Sequence, residues 1–463
     1  MADLATRQDI ARLFGRAAFG ATGADHDRWV GKPYADAVDS LFPPAGSDPL
    51  ARAVQADEAM RLYTANNYLN DVYGAGRWWL ERMRTTPYPL EERMTFFWHD
   101  HFATAYTGDP DIASILQQNQ TLRQYALGSF RDLANAMLVD PAMLVWLNGI
   151  NNHVAGVNEN LAREFFELFT LGTVPQVYTE TDIRQAARVL TGWTVNPTLH
   201  SSAFTEARHD LTRKTVLGRS IGGWAAGDPR HATEYRELTE AALAHDHGKT
   251  VSQFLAYRLV LQFGYVPDVT NLAGDPLVQD VAWAIRAGDA WDLRKGVRTM
   301  LLHPKWRYAD ASAGRQLVRS PVEVAVHAAK VLGVPLDAAF GTFTTNEIVL
   351  QTAHAGQQPF LPPNVGGWPN GLGWLSQTTT LGRYDLLYVV WLAYLNQQRH
   401  QVAPPPPSAD LAYWAWFMGL AGFSTSTTLR LREYLAAPGT TAELDKQAGM
   451  FVLAGSSPDW QVM

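Results

Sequence analysis

Two imidazoles and a carboxylate stand almost side by side in Phe96-Phe97-Trp98-His99-Asp100-His101-Phe102. On a helix His99 and His101 point about 200° apart and cannot aim at one atom. His101 shares a face with Met94 and Phe97, so the spacing turns it inward. His99 or Asp100 is then left as an orienting group or general base. The competing reading is a buried histidine satisfied by a carbonyl or a carboxylate.

A second polar group lies in Asn158-Glu159-Asn160-Leu161-Ala162-Arg163-Glu164-Phe165-Phe166-Glu167. Asn158 suits a helix N-cap, and the helix is expected to run to Gly172. Asn160, Arg163, Glu164 and Glu167 then share a stripe about 100° wide. Glu164 and Glu167, three residues apart, can converge on one ligand, as paired carboxylates do in metal-binding bundles. A solvated face with an Arg163–Glu167 pair is the plainer alternative. Against it stands the breadth of the apolar face, Leu161, Phe165, Phe166, Leu168 and Phe169, which predicts a largely buried helix. Buried carboxylates need partners.

The third group is Arg208-His209-Asp210, followed by Lys214. His245-Asp246-His247 reads instead as a solvated turn. Cysteine is absent, so disulfides, thiolate nucleophiles, cysteine-bound zinc and iron–sulfur clusters are excluded. Imidazole and carboxylate without thiolate suit a divalent metal ion: iron, manganese or zinc. The expected ligands are His101, Glu164, Glu167 and His209. His99, Asp100 and Lys214 are the candidate catalytic groups, and Arg163, Asn160 and Trp368 the candidate substrate contacts. Lys214 or Arg163 would neutralise an anionic group. Trp368 and Trp374 lie on a glycine-rich loop, where an aromatic either stacks on a sugar or aryl ligand or plugs a gap between helices; the plug is the better reading. No Gly-x-Gly-x-x-Gly, phosphate-binding glycine loop or His-Glu-x-x-His occurs.

These residues must be positioned by helices. Of the 463 residues, 47% are hydrophobic and 18% charged, enough for a packed core. The pattern predicts a mainly α, large multi-helix single domain with a small β-hairpin insertion and a structured loop. The main body spans 1–400, with the hairpin around 194–220, built from Thr194-Val195 and Lys214 to Leu217, and the glycine/proline-rich loop over 359–375. A proline-rich connector follows at 401–408, then a C-terminal helical segment, 409–463, packing on the main body. Thr179 and Asp182 resemble a capping box. A net charge of −7, from 45 acidic and 38 basic residues, argues against nucleic-acid binding. No apolar run is long enough for a membrane span, and no signal core opens the chain. The expected location is cytoplasmic, with export alongside a partner as the alternative.

The order of motifs resembles the bacterial family called domain of unknown function 1800. Arg12-Leu13-Phe14-Gly15-Arg16-Ala17-Ala18-Phe19-Gly20, the Phe-Trp-His-x-His-Phe block at Phe97, and the Asn-Glu-Asn-x-Ala-Arg-Glu block at Asn158 carry the likeness. Leu190-Thr191-Gly192-Trp193, His209-Asp210 with Lys214-Thr215, Ser320-Pro321-Val322-Glu323, Pro362-Pro363-Asn364-Val365-Gly366-Gly367-Trp368 and Ser457-Pro458-Asp459-Trp460 continue it to the end. The resemblance implies one elaborated helical unit. It departs at Trp146-Leu147-Asn148, where the family tends to have Tyr-Leu-Asp. Family members often sit beside a sulfatase- or phosphatase-like partner family, an association rather than a mechanism.

The expected function is a metal-dependent enzyme, hydrolytic in preference to oxidative, acting on an unidentified small-molecule or polymer substrate. The alternative is a non-catalytic assembly protein for a sulfatase- or phosphatase-like partner. A weaker third reading is a carbohydrate-binding module using exposed tryptophans.

Overall fold

The computed structural model describes residues 3–44, 46–47, 72–108, 111–196, 198–308, 317–336, 339–340, 343–344, 346–398, 407–438 and 442–462. Among them the chain is mostly helical, with three two-stranded antiparallel ribbons and no larger sheet. Local chemistry sets the helix starts. Thr179 accepts a hydrogen bond from the Asp182 N–H while the Asp182 carboxylate accepts from Thr179 N–H, opening the Glu180–Val189 helix. The same reciprocal box opens Arg7–Ala17 at Thr6 and Pro321–Leu332 at Ser320.

The 194–220 region differs from the single expected hairpin. β1 (Trp193–Asn196) pairs with β2 (Ser201–Phe204), and β3 (Lys214–Val216) pairs with β4 (Arg219–Ile221). Leu217 and Gly218 both have positive φ, 48° and 78°. Two such residues fit a primed two-residue turn, which closes β3 on its immediate successor rather than on β1.

The helix expected from Asn158 to Gly172 also changes character. It is α-helical over Asn160–Glu164 and π-helical over Phe165–Thr170. Asn158 still acts at the start, its side-chain oxygen accepting the Asn160 N–H at 3.0 Å. At the wide turn, the N–H groups of Leu171 and Gly172 both reach the Phe166 carbonyl. Such turns occur often at functional sites.

The interior forms two apolar clusters, and the Pro89–His101 helix contributes to both. Met94, Phe97 and Trp98 enter the cluster built mostly from residues before 310. Phe96 enters the other, with Trp79, Trp368, Trp391 and Trp460. A helix covered on all sides has no solvent face, so His99 and His101 are both buried although they point apart. The charged Arg93 side chain is carried through this interior by Glu323 at 2.5 Å and the Arg16 carbonyl at 3.0 Å. The loop from Pro359 to Trp374 buries Phe360, Trp368 and Trp374 in the second cluster, as do Trp414, Phe451 and Trp460 of the last segment. Residues 401–406 of the expected connector lie outside the described residues. No helix among the described residues is long and apolar enough to cross a membrane.

Candidate metal centre and the neighbouring cleft

Among the described residues, one group of three imidazole and carboxylate side chains converges: His209, His231 and Glu234, whose ligand atoms lie within 4.8 Å of one another. His209 follows the β1–β2 ribbon. His231 sits in the short turn Pro229–Thr233, and Glu234 is the first residue of the Glu234–Ala244 helix. All three are buried. Each imidazole has one nitrogen on a main-chain carbonyl: His209 Nδ1 is 2.7 Å from Thr191 O, and His231 Nε2 is 3.2 Å from Ala225 O. The remaining nitrogens face Glu234, His209 Nε2 at 3.2 Å from Oε2 and His231 Nδ1 at 3.1 Å from Oε1. Carbonyl anchoring of the far nitrogen is how metal-binding histidines are commonly oriented. Gly222, at φ 68°, lets the carboxylate in: a Cβ there would stand 2.3 Å from Glu234 Oε1.

Lys214 joins the group from β3. Its ammonium lies 2.6 Å from Glu234 Oε2 and 3.4 Å from His209 Nε2, and it donates to the Asp210 carbonyl. A positive charge therefore already faces the carboxylate. Burial works to raise the Glu234 carboxyl, but hydrogen bonds from His209 and Lys214 hold it below its ordinary value. Burial lowers the Lys214 ammonium against the pull of Glu234. Asp210 pairs instead with Arg188 and Thr212; burial would raise its carboxyl, yet these partners hold it at about 2.

The four expected ligands do not meet. His209 belongs to this group; His101, Glu164 and Glu167 do not. His101 Nε2 lies 3.0 Å from Phe169 O, at the end of the π-helix, and burial, with Arg258 adding to it, pushes the imidazole down to about 3. A carbonyl only accepts, so Nε2 carries the hydrogen. Glu164 and Glu167 are half-buried rather than enclosed, because their helix covers its apolar side only. Burial and the neighbouring Glu167 raise the Glu164 carboxyl. Arg163 is a surface link: it forks onto Glu180 at 2.9 and 2.7 Å and lies 3.5 Å from Glu167. Asn160 is exposed and donates to Leu147 O at 3.3 Å.

The other expected site residues gather elsewhere. His99 is enclosed by Trp79, Phe360 and Trp368, with ring centroids 5.2 to 5.6 Å away, and burial pushes it down to about 3. Trp368 stacks on Phe96 at 5.8 Å and is 5% exposed, which is the plug. Its backbone N–H donates to Asp100 Oδ1 at 2.7 Å. Burial pushes the Asp100 carboxyl up to about 6, although Arg258 and the Trp368 N–H oppose it. Asn148 adopts the left-handed conformation, φ 58°, one that asparagine tolerates.

Beside the π-helix opens a cleft of about 560 Å³. One wall is the Lys249–Phe263 helix; the other is the π-helix and the following loop, where Glu167, Leu171 and Val174 reach it. Arg258 lies on its surface, and its ion-pair partner among the described residues is Asp100, at 4.0 Å. Sequence reasoning missed His231, Glu234 and Arg258. The His231-x-x-Glu234 spacing at a helix start was the available signal for the first two; nothing local marks Arg258. A further spacing, Gly218-Arg219-Ser220-Ile221-Gly222, matches a hydrolase nucleophile turn, but Ser220 is exposed on β4 and not on the strand-to-helix turn that such chemistry needs.

Fold and site together define a mostly helical protein with a closed two-histidine, one-carboxylate group that could hold a divalent ion. The chain belongs to the family described as "Protein of unknown function (DUF1800)", whose model matches residues 12–462. Neither the curated proteins nor the solved structures contain a match.

Proposed function

We propose that the chain is a metal-dependent enzyme, hydrolytic rather than oxidative, whose ion is held by His209, His231 and Glu234. The observation that carries this reading is the convergence of three donors whose two imidazoles are each anchored through the far nitrogen on a backbone carbonyl. In a chain without thiolates that donor set suits iron, manganese or zinc. The Lys214 ammonium competes for the same carboxylate, so ion binding requires it to leave Glu234. Chemistry at the ion also requires the group to open to substrate, since all three donors are buried.

The test is plasma mass spectrometry on tag-free protein from cells supplied with iron, manganese and zinc. Near-stoichiometric metal in the wild type, lost in Glu234→Gln and His231→Ala, is the expected result. Wild-type protein without stoichiometric metal overturns the reading. Hydrolysis is checked with ester, phosphoester and sulfate-ester substrates before and after chelation.

The closure of the group and its built-in ammonium favour a second reading, a non-catalytic assembly protein for a sulfatase- or phosphatase-like partner. Here the group is a structural ion pair. Full partner binding by a Glu234→Gln protein that holds no metal would support it.

A further inference from the structure

The Lys249–Phe263 helix has two faces of different kinds. Val251, Ser252, Leu255, Ala256, Leu259 and Val260 are buried against the body. Thr250, Gln253, Phe254, Tyr257 and Arg258, spaced i, i+3, i+4, i+7 and i+8, are half-buried, and all five line the cleft. A stripe at that spacing ordinarily seats a neighbouring element. Here it borders open volume of ligand size. From Thr250 to Arg258 the stripe runs about 12 Å at the helical rise.

The walls are largely apolar. Leu168, Leu171 and Pro175 stand on one side, with Phe254 and Tyr257 on the helix and Leu272 beyond. Val174 and Val269, both exposed, stand on the lining as well. Gly172, at φ 75°, brings the loop close: a Cβ there would meet Phe254 at 2.8 Å. Two left-handed non-glycine residues, Asp246 and His247, form the adjoining turn, a costly backbone state.

Polar recognition is concentrated at one point. Glu167 faces the cleft but is already 3.5 Å from Arg163. Gln253 donates to Gln279 at 3.0 Å. Arg258 differs: its single ion-pair contact among the described residues is the 4.0 Å approach to Asp100, too long for a hydrogen bond. Five N–H donors on a guanidinium reward a planar oxyanion with two parallel bonds. With Glu167 and Asp246 also on the cleft wall, a singly charged group fits better than a dianion.

We propose that this cleft binds an amphiphilic monocarboxylate, its acid group on Arg258 and its apolar or aromatic body along the Phe254–Tyr257 stripe. The inference is independent of any metal at His209, because no residue of that group lines the cleft.

Isothermal titration with 4-phenylbutyrate, 4-phenylbutyramide and phenyl phosphate tests it on the full chain. The acid should bind about tenfold or more tightly than its amide, and Arg258→Gln should erase that difference. Equal binding of acid and amide, no binding of either, or unchanged acid binding by Arg258→Gln overturns the proposal. Tighter binding of phenyl phosphate than of the acid overturns the carboxylate assignment. Thr250→Trp fills the cleft while keeping Arg258, so it decides the matter if the arginine variant fails to fold. It should lose acid binding, and retained affinity overturns the proposal. Metal content is measured on the same samples, which keeps failure here distinct from failure of the metal reading.

Discussion

The two ends of the Glu234–Ala244 helix solve the problem of charge in opposite ways. At the first residue, Glu234 is enclosed with Lys214, His209 and His231, each within hydrogen-bonding or ion-pair distance. About 16 Å along the axis, past the last turn, His245 and Asp246 border the open cleft, whose guanidinium has one ion-pair partner among the described residues, Asp100 at 4.0 Å. The first is a group whose charges are matched by their neighbours; the second is a wall on which, among the described residues, one guanidinium stands 4.0 Å from its carboxylate partner. A buried charge without its partner is expensive, whereas a half-exposed one is solvated at little cost.

That contrast is broken most directly by removing one charge at the closed end. Glu234→Ala leaves the Lys214 ammonium buried without its carboxylate and should cost about 3–5 kcal/mol of stability, read from urea midpoints. Lys214→Met combined with Glu234→Leu should recover part of the loss, because an apolar pair of similar volume needs no compensation. A single-variant loss as small as that of a surface pair would show that the group does not hold the β3–β4 ribbon to the helix.

A smaller effect, but one with an unusual sign, separates the two regions by pH. Glu234 is held below its ordinary value in the fold, so its contribution is present above the unfolded pKa and is lost as pH falls. Asp100, behind Arg258, is raised to about 6 by burial, so the native state takes up its proton first. Its contribution is therefore present at acid pH and is lost as pH rises from about 4 to about 6. Asp100→Asn keeps an acceptor for the Trp368 N–H and removes the charge. Relative to wild type it should gain about 3 kcal/mol between pH 4 and pH 8, the equivalent of two pKa units. Glu234→Gln should move the other way over that interval. Urea midpoints for the three proteins at both pH values check it, and parallel shifts would erase the distinction.

Arg258→Gln comes next. The arginine is half-buried and, among the described residues, makes no hydrogen bond that its loss would orphan, so stability should fall by about 1 kcal/mol or less, while acid binding in the cleft is lost. A large stability loss would mean that the guanidinium serves the fold and not a ligand.

Local chemistry made much of the fold legible. The Thr179–Asp182 box is read from neighbours in sequence and stands as expected, as does much of the helical periodicity, whereas the glycine-rich loop ends in a short 3-10 turn, Gly371–Trp374. Long-range convergence was not legible. His209 was a visible candidate, but its companions lie 22 and 25 positions on, beyond the β3–β4 ribbon, and no local period points to them. The Pro89–His101 helix misled differently. Its 200° separation of His99 and His101 is real, but a helix between two cores buries both, so direction did not tell function from packing. Arg258 sits in an ordinary amphipathic pattern, and only its place on the cleft wall, 4.0 Å from Asp100, makes it notable.

The smallest expected effect concerns the polar stripe that looked most like chemistry in the sequence. Arg163 joins Glu159, Glu167 and Glu180, and all four side chains are at least a quarter exposed. Its ions stay solvated in the unfolded and folded chain alike, and holding long side chains in one geometry costs entropy that offsets the Coulomb gain. Arg163→Ala should therefore leave the urea midpoint almost unmoved and reduce what little effect salt has on it. One consequence reaches the cleft. Without Arg163, the Glu167 carboxylate is less neutralised where it lines the opening, so an acid ligand should bind more weakly while its amide is unaffected. Acid binding that is unchanged or strengthened in Arg163→Ala would show that the Glu167 charge is not felt at the ligand's acid group, and the place of that group in the cleft would have to be redrawn.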